Sequence, residues 1–182
     1  MDSALLIEVF LFTALTSLAA VLVLWLVSMP LRDVSIIDMA FSALVAAMVW
    51  VAAWQAQAGG PVSTATLVLV SVWALRLGIY LVHRNWGEGE DPRYTRLRSW
   101  AAEGWAFHWL SLRQVFLMQG AAVWVLTLPQ QLALVGDSGE ALGPLGALGI
   151  ALWLLGFFFE TVGDEQLRRF KADAANRGRV LD

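Results

Sequence analysis

Five long apolar segments, separated by short polar or glycine-containing connections, set the pattern of this sequence. Each is about as long as the 20-residue helix that crosses a hydrocarbon core roughly 30 Å thick. Within lipid, a helix satisfies all of its own backbone N–H and C=O groups. The pattern therefore predicts an all-α, polytopic transmembrane bundle. The five predicted spans are residues 4–27, 36–58, 62–83, 110–135 and 142–163, with a tail over 164–182.

Composition supports a membrane protein over the other classes. The 182 residues are 59% hydrophobic and 15% charged, against about 45–50% and about 25% in soluble domains. A soluble domain of this size cannot bury so much apolar surface, and a disordered chain would not contain it. The length fits one transmembrane domain over residues 1–182. With no Cys and only two His, neither a disulfide framework nor a metal site is predicted.

The positive charges indicate an orientation. All twelve Lys and Arg residues lie after the first span, after the third span, after the fifth span, or in the adjoining span ends. The N-terminus, the turn at 59–61 and the loop at 136–141 contain none. Because Lys and Arg are concentrated in cytoplasmic loops, the N-terminus is predicted outside and the C-terminal tail inside. We expect an integral membrane protein with this orientation.

Two charged residues near the membrane are candidate functional groups. Asp38 lies at the cytoplasmic mouth of the second span, where the helix dipole alone would favour a carboxylate by about 0.3–1 kcal/mol. Arg76 lies about two turns inside the third span, where a central Arg costs about 2.5–3.5 kcal/mol to insert. A pairing of Arg76 with Asp38 or Glu160 would offset that cost. Asp38 is therefore either an interfacial acid or a site residue.

The tail carries charged groups at helical spacing. Glu160, Asp164 and Lys171 recur on one face of a helix, and Arg179 follows. Carboxylates suit ribose hydroxyls, and cations suit phosphates, so these residues form a candidate nucleotide-binding surface. A solvated helix end is the alternative interpretation.

Several segments together carry a family resemblance. They are Asp33–Asp38; Trp73–Gly78 with Arg84, Glu90–Tyr94 and Arg98; Phe116–Gly120; and Glu160, Asp164, Gln166, Leu167, Phe170, Lys171, Asn176, Gly178 and Asp182. In this order they resemble the bacterial branch of the steroid 5-alpha-reductase family, the membrane proteins grouped as DUF1295. Phe41 stands where that family usually has Trp. The family continues beyond this point into an Arg-His-Pro-Asn-Tyr segment, so the chain is expected to be truncated and to have little or no turnover.

The resemblance implies an oxidoreductase. Its expected activity is NADPH-dependent reduction of an enone C=C bond in a steroid-like or other lipid substrate, with the bilayer and not nucleic acid as the other partner. By the family's pattern, an acid on the second span and a Tyr near the end of the third polarise the substrate. Asp38 and Tyr80 are the predicted catalytic pair, with Tyr94 as an alternative beyond the span. The predicted cofactor-binding residues are Arg84, Glu160, Asp164, Lys171 and Arg179.

Two other functions stay open at this point. One is an S-adenosylmethionine-dependent membrane methyltransferase related to the isoprenylcysteine carboxyl methyltransferases, although the acid-plus-cation tail suits a phosphorylated dinucleotide better. The other is a non-enzymatic membrane scaffold.

Overall fold

The computed structural model describes residues 2–87, 89–176 and 178–180, without the side chain of Ala174. Arg177 and Asp182, which the sequence analysis assigned to the tail, lie outside the described residues. The described part is helical and contains no strand. Its α-helices are α1 (Ser3–Leu31), α2 (Ile36–Gln55), α3 (Pro61–Asn85), α4 (Pro92–Arg98), α5 (Trp105–Ser111), α6 (Leu117–Leu126), α7 (Leu128–Val135) and α8 (Pro144–Ala172). A π-helical turn, Leu112–Phe116, joins α5 to α6, and a 3-10 turn, Ala174–Asn176, follows α8.

Five helical segments of the described chain are long and apolar enough to cross a membrane, as predicted. They are α1, α2, α3, the run Trp105–Val135 and α8. The fourth begins at Trp105, before the predicted residue 110, because Gly104 takes the left-handed backbone (φ +79°) and the helix starts directly after it. The fifth continues through residues predicted to be tail. Glu165 supports this polar end by pairing with Arg168 and Arg169 at 2.7 and 2.6 Å.

A short helix, α4, forms in the charged connection after α3. Asp91 is its N-cap, and the carboxylate accepts a 2.8 Å hydrogen bond from the backbone N–H of Arg93. Pro92 occupies the first turn, where its missing N–H leaves no intrahelical bond unmade. Local sequence chemistry thus starts a two-turn helix and places Tyr94 on it.

The chain divides into two compact units, Met1–Glu140 and Ala141–Asp182. In the first, α2 packs against α1 and α3, and α1 packs against α6. The buried apolar side chains shared by these helices include Val21, Ile37, Met48, Phe116 and Val123. The second unit contains α8 and the 3-10 turn.

A buried polar network lies in the same unit as the apolar core. Gln131 of α7 accepts a 2.8 Å hydrogen bond from the Thr13 hydroxyl of α1. Its amide donates to the Thr127 hydroxyl at 3.0 Å. Thr127 lies at the break between α6 and α7. Its hydroxyl donates a hydrogen bond shared between the carbonyls of Val123 and Trp124. Because Thr13, Thr127 and Gln131 satisfy one another, they join α1 and α7 with each of their own side-chain groups hydrogen-bonded.

Candidate functional site

Asp38 is the centre of a polar cluster at one end of α2. The helix begins at Ile36, so the Asp38 side chain projects from the first turn. Its Oδ1 accepts hydrogen bonds from the Tyr94 hydroxyl at 2.8 Å and from Gln119 Nε2 at 3.1 Å. Its Oδ2 accepts from Arg93 Nη2 at 2.8 Å. The carboxylate is only 16% exposed, and three donors from α4 and α6 compensate for its burial.

Tyr94 is the buried donor of this cluster. Its side chain is 8% exposed, and Gln119 Nε2 lies 3.4 Å from its hydroxyl oxygen. Burial, reinforced by the hydrogen bond to the Asp38 carboxylate, raises the pKa of the Tyr94 phenol well above its usual value. The hydroxyl therefore keeps its proton across the neutral range and acts as a hydrogen-bond donor.

Arg93 covers the outer side of the carboxylate. Its guanidinium is 65% exposed and donates to Asp91 from Nε at 2.9 Å and from Nη2 at 3.0 Å, besides its bond to Asp38. The hydrogen bond from Arg93 lowers the pKa of Asp91 and raises that of Arg93. The Asp38 carboxylate thus has a phenol and an amide on its protein side and a guanidinium toward solvent.

A second ion pair lies in the same segment. Arg98 donates from Nε to Glu90 Oε2 at 2.6 Å and from Nη2 to Glu90 Oε1 at 2.9 Å. Glu90 Oε1 also accepts from the backbone N–H of Val34, between α1 and α2, at 2.9 Å. Because Arg98 forms two parallel hydrogen bonds with Glu90, both the orientation of the guanidinium and its distance from the carboxylate are fixed.

An apolar groove of about 800 Å³ runs between α2 and α3, beginning at Met39, the residue after Asp38. Its lining residues are Met39, Ser42, Ala43, Ala74, Leu75, Gly78, Ile79, Val82, His83 and Trp86. The Ser42 hydroxyl is fully buried and has no hydrogen-bond partner among the described residues. Gly78 faces it closely, because a Cβ there would lie 3.0 Å from Ser42 Oγ. The groove therefore offers an apolar surface whose lining begins one residue after Asp38.

The two predicted catalytic residues do not pair with each other. Tyr94, and not Tyr80, donates to Asp38. Tyr80 lies on α3 between two guanidiniums, with the Cζ atoms of Arg76 and Arg84 at 5.9 and 5.7 Å from its ring centroid. Asp38 also forms an ion pair with Arg93, from a segment that the sequence placed beyond the span.

The predicted cofactor residues fall in both units. Arg84 lies in the last turn of α3, where its Nε donates to Asn85 Oδ1 at 3.3 Å. Glu160, Asp164 and Lys171 all lie in the continuous helix α8, so their spacing of four and seven residues places them on one face. Arg179 follows the 3-10 turn, and its backbone N–H donates to the carbonyl of Asn176 at 2.9 Å.

Gln119 and Arg93 are cluster residues to which the sequence analysis gave no role. The sequence contains an indication for each. Gln119 is a polar amide side chain inside an apolar span, and Arg93 follows an Asp-Pro pair that starts a helix. Neither signal says which side chain the residue meets, because that depends on the packing of α4 and α6 against α2.

Sequence comparison gives one family and no individual relative. Neither the curated proteins nor the solved structures contain a match to the chain. The family model described as a protein of unknown function, DUF1295, matches residues 24–182. That match includes Asp38, Tyr94, Gln119 and the whole of α8. The chain therefore belongs to the DUF1295 family.

Proposed function

We propose that this protein is a membrane reductase that uses NADPH to reduce a C=C bond conjugated to a ketone in a steroid-like or other lipid substrate. The observation that carries the proposal is the buried Tyr94 hydroxyl, held 2.8 Å from the Asp38 carboxylate, with an apolar groove whose lining begins at the next residue, Met39. The resemblance of the surrounding segments to the steroid 5-alpha-reductase family supports the same reaction class.

The cluster has the chemistry that enone reduction requires. When hydride adds to the β carbon, an electron pair moves through the conjugated system and negative charge develops on the carbonyl oxygen; a proton at the α carbon completes the reduction. A preorganised donor at that oxygen stabilises the developing charge most where water is excluded. Tyr94 can supply such a donor, because its phenol is buried and stays protonated. Its one hydroxyl proton, which Asp38 accepts in the structure, would turn to the ketone oxygen when the substrate binds. Asp38 and Gln119 hold its hydroxyl in position.

The groove between α2 and α3 supports a lipid substrate. Most of its lining is aliphatic or aromatic, which suits a fused-ring or long-chain body. A substrate lying there would carry its ketone toward the end of α2 at which Asp38 stands.

The charged face of α8 supports the cofactor assignment. NADPH, when bound, supplies the hydride. Glu160 and Asp164 would accept hydrogen bonds from ribose hydroxyls, and Lys171 and Arg179 would neutralise phosphate. The helix continues far enough to present the first three of these residues on one face, which fits a ligand that alternates hydroxyls with phosphates. Arg84 is the further cation proposed for a phosphate.

Carbonyl polarisation is the direct test of the proposal. The purified protein in lipid nanodiscs is mixed with a steroid-like enone carrying a ¹³C-labelled ketone, and the C=O stretch is recorded by infrared difference spectroscopy. We expect the stretch of the bound ketone to lie below its frequency in protein-free nanodiscs. Tyr94→Phe should return it to the lipid value, because the donor is removed. Tyr80→Phe is the matched control and should keep the shifted frequency. The same C=O stretching frequency in protein-free nanodiscs, in the wild-type protein and in both variants would refute the proposal.

Cofactor binding is tested separately by energy transfer from the ten Trp residues to the reduced nicotinamide. Lys171→Ala and Arg179→Ala should each weaken NADPH binding about tenfold, since a hydrogen bond to a charged group contributes about 1.5–3 kcal/mol. Arg168→Ala is the control, because Arg168 already donates to Glu165 at 2.7 Å. Unchanged affinity in both test variants would remove the assignment of α8 to the cofactor.

A further inference from the structure

The Asp38–Tyr94 contact joins two segments that are 56 residues apart in sequence. Asp38 stands in the first turn of α2, directly after the turn that follows α1, and Tyr94 stands on α4. Helix α4 buries Tyr94 and Leu97 in the apolar core, so packing sets part of its position. The distance between the carboxylate and the phenol depends on this packing and on the polar contacts that attach α4 to the turn before α2.

Glu90 supplies the first tie. Its side chain is 11% exposed, although it lies in a connection outside the spans. One carboxylate oxygen accepts both the backbone N–H of Val34 and the Arg98 guanidinium, and the other accepts a second bond from Arg98. A single carboxylate, two residues before α4, is thus bonded to the last residue of α4 and to the turn before α2.

Arg98 supplies the second tie. Besides its two bonds to Glu90, its Nη2 donates to the carbonyl of Arg32 at 3.0 Å. Arg32 caps α1 in the left-handed conformation at φ +52°, which is the point where the chain turns toward α2. The Arg98 Cζ atom lies 4.1 Å from the ring centroid of Phe107, a buried residue of α5. The Arg98 guanidinium therefore has polar partners in Glu90 and the Arg32 carbonyl and an aromatic partner in the Phe107 ring.

A third contact completes the arrangement. The backbone N–H of Asp91 donates to the Ser35 hydroxyl at 2.7 Å, and Ser35 immediately precedes α2. The ties at Glu90 and Asp91 come before Tyr94 in sequence, and the tie at Arg98 comes after it. Since both ends of α4 are attached to the turn that starts α2, these contacts, together with the packing of Leu97 in the core, restrict the position of Tyr94 relative to Asp38.

We propose that Glu90 and Arg98 form a positioning pair that holds the Tyr94 hydroxyl on the Asp38 carboxylate. The pair acts through the backbone of the 32–35 turn and of α4. Its place in enone reduction rests on the function proposed above, whereas its effect on Tyr94 does not require any substrate.

The chain contains two Tyr residues, so a Tyr80→Phe background leaves Tyr94 as the only phenol. Its ionisation is then followed by the ultraviolet absorbance of the phenolate as pH is raised. In this background we expect a Tyr94 pKa well above the usual value of about 10. Adding Arg98→Ala should increase the acid dissociation constant of Tyr94 about tenfold or more, because the phenol loses its burial and its carboxylate partner.

The direction of this change separates positioning from simple electrostatics. Removal of a nearby cation by itself raises the pKa of a phenol, whereas displacement of Tyr94 from Asp38 lowers it. Arg96→Ala removes the same charge from an exposed position of the same helix and is the matched control; it should leave the Tyr94 pKa in place or raise it slightly. Arg98→Lys keeps the charge but not the bidentate fork, so a partial decrease is expected.

Circular dichroism establishes that each variant keeps its helices. If Arg98→Ala does not fold, Arg98→Lys and Glu90→Gln carry the test. A Tyr94 pKa that is unchanged or raised in every folded variant of Glu90 and Arg98 would overturn the positioning pair. A lowered pKa together with an unshifted ketone stretch in the wild-type protein would instead support the pair and refute the reductase function.

Discussion

Replacement of Asp38 with alanine is expected to lower the free energy of unfolding by about 2–4 kcal/mol. The substitution removes the acceptor of two largely buried hydrogen bonds, from Tyr94 and Gln119. A bond to a charged group contributes about 1.5–3 kcal/mol, and the loss leaves a phenol and an amide without their acceptor. The exposed pair with Arg93 adds at most about 1 kcal/mol. Equilibrium unfolding in mixed detergent micelles, followed by circular dichroism, measures the change.

Two variants control this prediction. Asp38→Asn keeps an oxygen for Tyr94 but loses the negative charge, so its effect should be smaller than that of alanine. Glu140→Ala removes an exposed carboxylate from a loop and should change stability by less than about 0.5 kcal/mol. If Asp38→Ala unfolded no more easily than Glu140→Ala, the cluster would not be the tightly bonded centre described above.

Gly120→Leu is the second substitution with a large expected effect. Gly120 of α6 faces α1, and a Cβ at this position would lie 3.0 Å from both Cγ atoms of Val21. Its carbonyl also accepts a 2.9 Å hydrogen bond from the Ser17 hydroxyl. Small residues let membrane helices approach closely, so a bulky side chain must push α1 from α6 and weaken that bond. We expect a loss of about 3 kcal/mol, at the upper end of overpacking effects.

Ala122→Leu provides the matched control, because Ala122 lies two residues further along α6 in an exposed position. It introduces the same side chain into the same helix without approaching α1, and its stability should remain within about 0.5 kcal/mol of wild type. Equal destabilisation by both substitutions would mean that the effect arises in α6 itself and not in its contact with α1.

The predicted partner of Asp38 shows where sequence reasoning reaches its limit. The family resemblance pointed to a Tyr near the end of the third span; Tyr80 is about one position from that place, and Tyr94 lies beyond the span. In the structure the donor is Tyr94, which reaches Asp38 because α4 is attached to the turn before α2. A helical spacing relates residues of one helix, but it carries no information on a contact across 56 residues.

The residues proposed for substrate and for cofactor differ in how far the sequence could predict them. The face shared by Glu160, Asp164 and Lys171 follows from helical periodicity once α8 is continuous, so the sequence was sufficient. The cluster around Asp38 takes its members from α2, α4 and α6. Gln119 and Arg93 join it only through the packing of those helices, so periodicity did not predict them.

By itself, the sequence determined the five apolar helices, because the lengths and hydrophobic composition that place a segment in a bilayer are local properties. It also determined the start of α4, since an Asp N-cap followed by Pro acts within one turn. Only the tertiary structure decided that Tyr94 and Gln119 meet Asp38 and that Glu90 and Arg98 attach α4 to the turn before α2. Those contacts arise from the angles at which helices leave short turns, and these angles depend on interactions between distant parts of the chain.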